Sequence, residues 1–338
     1  MPQHGPSSCA ELPADFRKLL SDYRRPSIWS GVWQLGVSIS GLVGFWAAMW
    51  FSLQYSYWLT LLFAIPTAGF MVRLFILQHD CGHGSFFPSR RVNDFIGRAL
   101  AVLTLTPYQR WRRGHAVHHA TSGDLDRRGF GDIHMLTVAE YMKLSRWQKF
   151  LYRLQRNPWI LFGIGPFCYF VIFQRFAFYE PKTWKRERIS VYCTNVALLA
   201  FFGALGWLVG YRQLLMIQLP ATIIASSAGV WLFYVQHHFE AAYWQPNESW
   251  DYFDAGLAGS SYYVLPKVLQ WFTANIALHH IHHLDSQIPN YRLQACYNEN
   301  PAMQNVKRIT IRESLACASL KLWDEAAQKM VGFPKATN

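Results

Sequence analysis

Histidine is the residue type in this sequence whose number and spacing most clearly indicate chemistry. Thirteen histidines are present, and eleven of them fall into four short groups. The groups are His79/His83, His115/His118/His119, His237/His238 and His279/His280/His282/His283. Residues three and four apart share one face of a helix, so HDCGH and the two HxxHH runs each direct several imidazoles the same way. Because neutral imidazole is a common metal ligand, this spacing predicts a metal site.

The number of clustered histidines predicts more than one metal ion. A catalytic zinc ion takes three protein ligands and a water, so eight or nine imidazoles are too many for one ion and suit two. Imidazole binds iron, zinc and copper alike, which leaves the identity of the metal open. His4 and His134 stand alone and indicate solvated or packed side chains. For His238 and His280, each beside a better-spaced histidine, a ligand role and a packing role both stay open.

Long apolar stretches must position these groups. Charged residues make up 15% of the chain, well below the roughly 25% of globular domains, which favours an integral membrane protein. Four stretches are long enough to cross a bilayer as helices. These transmembrane helices are predicted at 31–51, 57–77, 190–210 and 213–235, where short turns join them into two hairpins. Two further apolar pieces, 95–108 and 159–173, are predicted to be interfacial or re-entrant.

The basic residues predict which side of the membrane each loop occupies. Of 32 Lys and Arg, 18 lie between residues 78 and 189, four before residue 31 and eight after residue 237. The positive-inside rule therefore places the long loops and both termini in the cytosol, together with all four histidine groups. The first thirty residues hold no apolar signal segment, which predicts an uncleaved N-terminus. Arg73, near the end of the second span, is expected to snorkel towards water.

A site of this kind beneath a bilayer points to oxidative chemistry on an apolar substrate, and three runs strengthen that interpretation. HDCGHGSF, WRRGHAVHHATSGDLDRRGFGD and HHIHHLDSQIPNY resemble the histidine boxes of the membrane-bound fatty acid desaturases, and the resemblance runs from His79 to about Asn290. FYVQHHFEAAYWQPNESWDY and GSSYYVLPKVLQWFTANIALHH are especially similar to bacterial acyl-lipid desaturases of the omega-6/delta-5 type.

The resemblance implies a fold and a reaction. The fold would be a single membrane desaturase domain over residues 1–338, an all-α integral membrane protein with four transmembrane helices in two hairpins. A cytosolic helical cap from 78–189 and 236–338 would carry a His-rich di-iron site. The enzyme would use O2 to remove two hydrogens from a fatty acyl chain and leave a cis double bond. It would lie in the cytoplasmic (inner) membrane of a bacterium, with its active site on the cytosolic side.

The resemblance also implies roles for individual residues. The eight box histidines would hold two iron ions: His79, His83, His115, His118, His119, His279, His282 and His283. His237 matches an extra histidine that such enzymes place after the fourth span. Asn275, one turn before His279 on the same helical face, would join through a water. Asp80, Asp126 and Asp285 would orient imidazoles from behind, although a solvated loop acid is an equal alternative for Asp126 and Asp285.

The implied reaction requires partners. Reducing O2 to water takes four electrons, of which the substrate gives two, so a donor must supply two. The chain has no Gly-rich dinucleotide fingerprint and no fused haem domain. A separate carrier such as a ferredoxin or a cytochrome b5-like protein is therefore expected, and the formal charge of +12 would steer an acidic one. The substrate would be an acyl lipid or an acyl thioester. Nucleic acid is not expected, because the basic residues flank membrane spans.

Two alternative functions stay open. A fatty acyl or carotenoid hydroxylase or ketolase could share the ligand set, and analysis of the product separates it from a desaturase. A metal transporter is a more remote alternative. Transporters usually place polar ligands inside their spans, whereas the four predicted spans hold no histidine and almost no acid.

Overall fold

Helices form most of the protein. The computed structural model describes residues 16–129, 131–178 and 180–334, so His4 lies outside the described residues. The α-helices within these ranges are α1 (Phe16–Ser21), α2 (Ile28–Ser52), α3 (Tyr57–His83), α4 (Arg90–Leu103), α5 (Tyr108–Thr121), α6 (Val138–Lys143), α7 (Arg146–Gln155), α8 (Gly165–Val171), α9 (Lys185–Val209), α10 (Tyr211–His237), α11 (Tyr252–Ala258), α12 (Lys267–Phe272), α13 (His279–Leu284), α14 (Asn290–Glu299) and α15 (Ile311–Cys317).

Short strands add two small sheets, which differs from the expected all-α fold. The strands are β1 (Leu136–Thr137), β2 (Tyr262–Val264), β3 (Arg308–Thr310), β4 (Leu322–Asp324) and β5 (Lys329–Val331). Strand β4 runs parallel to β1 and antiparallel to β5, and β2 runs parallel to β3. Runs of two or three residues are too short for an alternating apolar pattern, so the sequence carries no signal for them.

Four helices are long and apolar enough to cross a membrane, as predicted, and they make the chain an integral membrane protein. They are α2, α3, α9 and α10. Helix α3 occupies the centre. In its apolar 18-residue stretch 56% of the residues are buried inside the protein, whereas in the corresponding stretches of α2, α9 and α10 only 22–28% are buried. It packs against α2, α4, α5, α10 and α12. The central position of α3 matters because this helix carries the first histidine box.

Helices α3 and α10 continue beyond the predicted ends of their spans. Helix α3 runs without a break through residue 83, and α10 runs to residue 237. Gly84 ends α3 in the left-handed conformation (φ 79°), and its N–H bonds to the carbonyl oxygens of Asp80 and Cys81. His79, His83 and His237 are therefore part of the same rigid helices as the apolar spans.

A bent pair of helices lies between the second and third spans. Helix α7 and the stretch Ile160–Arg175 meet at an angle of 53°, and together they form either a broken fifth span or a re-entrant segment. The stretch begins with a π-helical turn, Ile160–Ile164, that continues into α8. The other apolar piece that was predicted to be interfacial or re-entrant, 95–108, lies mostly in α4. This amphipathic helix buries Asn93, Gly97 and Leu100.

Arg73 does not snorkel as predicted. Only 5% of the residue is exposed. Its guanidinium donates hydrogen bonds to Ser38 Oγ (3.1 Å) and Gln34 Oε1 (2.9 Å) on α2 and to the carbonyl oxygen of Trp271 on α12. It also lies 4.1 Å from the centre of the Trp271 ring. These acceptors inside the protein replace the water that the arginine would otherwise seek.

Candidate metal centre

The structure brings nine histidines together in two groups. Group one contains His79, His83, His115, His119 and His282, and group two contains His118, His237, His279 and His283. Within each group, one nitrogen from every ring lies within 4.8 Å of those from the others. The groups adjoin, because the rings of His119 and His283 stack with centroids 4.2 Å apart. The nine are the histidines that the sequence singled out as ligands.

The first and second boxes lie on neighbouring helices. His79 and His83 occupy successive turns of α3, and His115, His118 and His119 lie on α5. Gly82 allows α5 to approach, because a Cβ atom there would lie 2.8 Å from the Trp111 ring. Since α5 distributes its three histidines over both groups, it provides the link between the two candidate ion positions.

The third box is a short helix held by a strand. Tyr263 N–H in β2 donates to Ala277 O (3.0 Å), and Tyr262 forms an isolated antiparallel bridge to Leu278. Helix α13 begins at His279 and is entirely buried. His282 joins group one, whereas His279 and His283 join group two together with His237 from α10.

The donor atoms fit a pair of cations. Five contacts of 2.9–3.3 Å join Nε2 atoms of different histidines, three within group two and two within group one. Among the described residues, the buried Nε2 atoms of His79 and His83 have no hydrogen-bond partner. A neutral imidazole has one N–H, so each ring that carries its proton on Nδ1 presents an Nε2 lone pair to its neighbours. Such an arrangement is stable when a metal ion lies among the lone pairs.

Contacts behind the rings set which nitrogen faces the centre. His79 Nδ1 donates to Asp80 Oδ1 (3.0 Å), His118 Nδ1 to the Asp132 carboxylate and His237 Nδ1 to Gly259 O (3.2 Å). An ionised carboxylate and a carbonyl can only accept, so Nδ1 carries the proton in each case. Nε2 is then left as the metal-binding lone pair.

Sequence reasoning missed Asp132. Asp132 is the last residue of the second-box run WRRGHAVHHATSGDLDRRGFGD. It follows a glycine and lies 14 residues beyond His118. Gly131 permits the close approach, because its φ is +85° and an added Cβ would lie 2.6 Å from Gly114 O. An acid that follows glycines soon after a box was the available signal. Asp80, by contrast, is at the site and its Oδ2 accepts from the N–H and Nδ2 of Asn290, each at 2.8 Å.

Asn275 and the other two acids have hydrogen bonds, among the described contacts, to groups other than the histidine rings. Asn275 is not on the helical face of His279, because α13 starts later and Asn275 has a left-handed backbone (φ 60°). Its Nδ2 donates to Asn290 O at 3.1 Å. Asp126 Oδ2 accepts from Asn247 N–H (2.8 Å), and Asp285 Oδ2 accepts from Arg24 Nε (2.5 Å).

The other three described histidines lie outside both groups. His280 is buried and its Nε2 donates to Met303 O at 3.0 Å, so it faces away from the other three histidines of its box. The His238 ring stacks on Tyr234, with centroids 4.4 Å apart. His134 is exposed, and its ring centroid lies 6.0 Å from that of Tyr152. The contacts of His280 and His238 indicate packing for these two side chains.

Burial favours neutral rings at the site. Burial lowers the pKa of five clustered histidines that lie outside the membrane-spanning helices. Neighbouring imidazoles lower the pKa of these five further. These are His115, His119, His279, His282 and His283. Because desolvation penalises the charged form, the rings are in the protonation state that metal binding requires.

Aromatic side chains line one side of the histidines. Trp111 stacks on His115 (centroids 4.6 Å apart), and Phe233 lies 5.1 Å from His118. Phe75 contacts Trp111 (5.5 Å) and Phe170 of α8 (6.1 Å). An apolar wall thus runs from group one along α3 to the bent segment. A substrate made of hydrocarbon would find apolar contacts on this side.

Comparison with known proteins agrees with this arrangement. A family described as fatty acid desaturase matches residues 56–312. A "Fatty acid desaturase" of Bacillus subtilis is 43% identical over 316 residues, which cover 94% of this chain and 89% of that protein.

More distant relatives are also desaturases. The "sn-1 acyl-lipid omega-3 desaturase (ferredoxin)" of Synechocystis sp. is 30% identical over 65% of this chain and 61% of its own length. The "Omega-6 fatty acid desaturase, endoplasmic reticulum isozyme 1" of Glycine max is 29% identical over 67% of this chain and 61% of its own length. The chain therefore belongs to the fatty acid desaturase family and is an oxidoreductase of lipid metabolism.

Proposed function

We propose that the protein is an O2-dependent acyl desaturase whose nine clustered histidines hold two iron ions. The observation that carries the proposal is the division of these histidines into two adjoining groups, of five and four, with converging nitrogens. When bound, the iron ions would supply the activation of O2 and of the C–H bond. Imidazole alone does not select iron, so the choice of metal rests on family membership.

The residues of the chain have separate tasks in this reaction. Asp80, Asp132 and the Gly259 carbonyl hold three rings in the tautomer that binds metal. Trp111 and Phe233 place apolar surface beside the two groups, where an acyl chain would lie without water. The reaction consumes O2, two electrons and two protons, converts –CH2–CH2– into –CH=CH– and releases two waters. The substrate is an acyl lipid or an acyl thioester, and the similarity to an acyl-lipid desaturase supports the lipid.

The proposal includes an orientation and a domain arrangement. The whole chain, 1–338, forms one membrane desaturase domain in which α2/α3 and α9/α10 are two hairpins. The parts at 78–189 and 236–338 form the cap on the cytosolic side of a bacterial inner membrane. The distribution of Lys and Arg supports this orientation. A separate one-electron carrier is the donor, as the ferredoxin in the name of the cyanobacterial relative suggests.

Expression in a bacterium that makes no polyunsaturated lipids tests the proposal. Membrane lipids are analysed by mass spectrometry after growth with the protein and a co-expressed ferredoxin system. We expect acyl chains that are two mass units lighter, with a new cis double bond. Metal analysis of the purified protein should give about two iron ions per chain, as two histidine groups imply.

Two results would contradict the proposal. Acyl chains that gain an oxygen instead of losing two hydrogens would identify a hydroxylase or ketolase. Unchanged lipids from an inserted, iron-loaded protein that is supplied with reductant would remove the desaturase assignment. His282→Ala is the matched inactive variant, because it removes one group-one ring and leaves the apolar spans unchanged.

A further inference from the structure

One edge of the histidine site is partly open. His83 and His115 of group one are partly exposed, whereas all four members of group two are buried. Electron transfer slows steeply with distance, so a carrier that docks at this edge approaches the candidate ligands most closely. Group one is therefore the better entry point for electrons.

Three arginines lie near this edge in the helices that carry or flank it. Arg90, at the start of α4, donates to Gly82 O (3.2 Å) beside His83. Arg112 lies three residues before His115 on α5, and its neighbour Arg113 is exposed. The side chains of Arg90 and Arg112 are 41% and 37% exposed. We call Arg90, Arg112 and Arg113 the arginine rim.

The arginine rim keeps a net positive charge. Asp94 is the acid that pairs with it, since its Oδ1 lies 3.4 Å from Arg90 and 3.3 Å from Arg112. The same oxygen accepts a hydrogen bond from Tyr108 (2.9 Å), which fixes the carboxylate in place. Arg113 lies over the Trp184 ring at 5.1 Å. The three arginine charges exceed the single negative charge of Asp94, so this surface attracts a negatively charged protein.

A second surface near the histidines is less suitable. Tyr252 Oη donates to the carbonyl oxygen of His283 (2.8 Å) and lines a cavity of about 260 Å³ with Arg24 and Asp285. The chain around Tyr252 carries exposed Glu248 and Asp251. These acids would repel an acidic carrier, so the arginine rim is the more favourable of the two surfaces.

We propose that an acidic one-electron carrier docks on the arginine rim and delivers its electrons to group one. This inference rests on the proposed desaturase function. Two successive docking events supply the two electrons that one turnover requires, while the substrate gives the other two and O2 becomes two waters. The contact is transient and small, as is usual for redox encounters.

Steady-state kinetics with two reductants test the docking surface. The iron-loaded enzyme is assayed in lipid nanodiscs with a reduced, acidic [2Fe–2S] ferredoxin, and separately with dithionite. Arg112→Gln/Arg113→Gln should lower kcat/KM for ferredoxin by about tenfold at low ionic strength. It should also flatten the salt dependence, because exposed charges are screened. With dithionite the rate should stay unchanged.

The matched control is Lys143→Gln/Arg146→Gln, which removes the same charge from exposed residues around the start of α7. It should leave the ferredoxin kinetics unchanged. Equal losses with both reductants, equal losses in the control, or a raised KM for the lipid in place of ferredoxin would each overturn the docking proposal. A wild-type enzyme that desaturates with neither reductant would instead remove the proposed function.

Discussion

His280 and His282 lie two positions apart in α13, yet only His282 faces a histidine group. We expect His282→Ala to lose bound metal and to lower activity by more than the roughly 10–100-fold that loss of a hydrogen-bond partner costs. His280→Ala removes an equally buried ring, whose nitrogen bonds to Met303 O, and should keep the metal. Metal content by mass spectrometry checks both variants, and equal metal loss would contradict the division of the box.

Asp132 is the residue whose role depends most on the three-dimensional structure. Asp132→Ala removes the acceptor that holds the His118 ring, so we expect metal affinity to fall about 10–100-fold. Competition with a chelator measures this affinity. Asp126→Ala is the control, since Asp126 bonds to Asn247 N–H and touches no clustered histidine in the described contacts. An unchanged affinity for Asp132→Ala would show that His118 is held by other contacts.

At the scale of residues, spacing predicted which histidines meet but not what holds them. The HxxxH run and the two HxxHH runs each fix a shared helical face, and these three faces together with His237 supply the nine rings. The partners behind the rings lie 1, 14 and 22 residues from their histidines, and a distant segment can in turn hold such a partner, as Asn290 holds Asp80 from 210 residues away. The contact between Asp132 and His118 depends on the left-handed turn at Gly131, which the spacing of the histidines alone does not reveal.

At the scale of elements, Arg73 joins three helices. Arg73→Met would leave Gln34, Ser38 and the Trp271 carbonyl without their donor, and we expect a loss of about 2 kcal/mol in unfolding free energy. Arg73→Lys should recover part of it, because lysine keeps the charge and lacks the planar fork. Thermal unfolding in detergent measures the effect, with exposed Arg98→Met on α4 as the control. A thermal midpoint for Arg73→Met that is no lower than that of Arg98→Met would contradict the stabilising role of Arg73.

The sequence predicted the four spanning helices but not how far each helix continues beyond its apolar stretch. Apolar length defines where a helix meets lipid, so α2, α3, α9 and α10 were found. The ends of α3 and α10 depend instead on hydrogen bonds, such as the cap at Gly84, and both helices continue into polar sequence. Strands β1 to β5 depend on pairing across the chain, which single short runs do not reveal.

For the molecule as a whole, burial of the histidines couples metal retention to the fold. In the unfolded chain they take up protons below a pKa near 6.5, whereas burial lowers the pKa of five of them in the folded protein. The unfolded state therefore binds more protons as the pH falls below 6.5, and folding stability declines. We expect metal to be kept at pH 6 and to be lost together with unfolding at lower pH.

Two signals recorded between pH 7.5 and pH 4 check this expectation. Tryptophan fluorescence follows unfolding, and a chromogenic chelator follows metal release. Coincident transitions would support the coupling. Metal release near pH 6.5 from a protein that keeps its fold would contradict it.

Helix α3 has 27 residues, so it is about 40 Å long and exceeds a hydrocarbon core of about 30 Å. The same helix that crosses the hydrocarbon core also carries His79 and His83. A helix longer than the bilayer adjusts to membrane thickness by tilting, and any tilt of α3 carries these two rings with it. Lipid composition, which the proposed reaction would alter, would thereby feed back on the geometry of the candidate metal site.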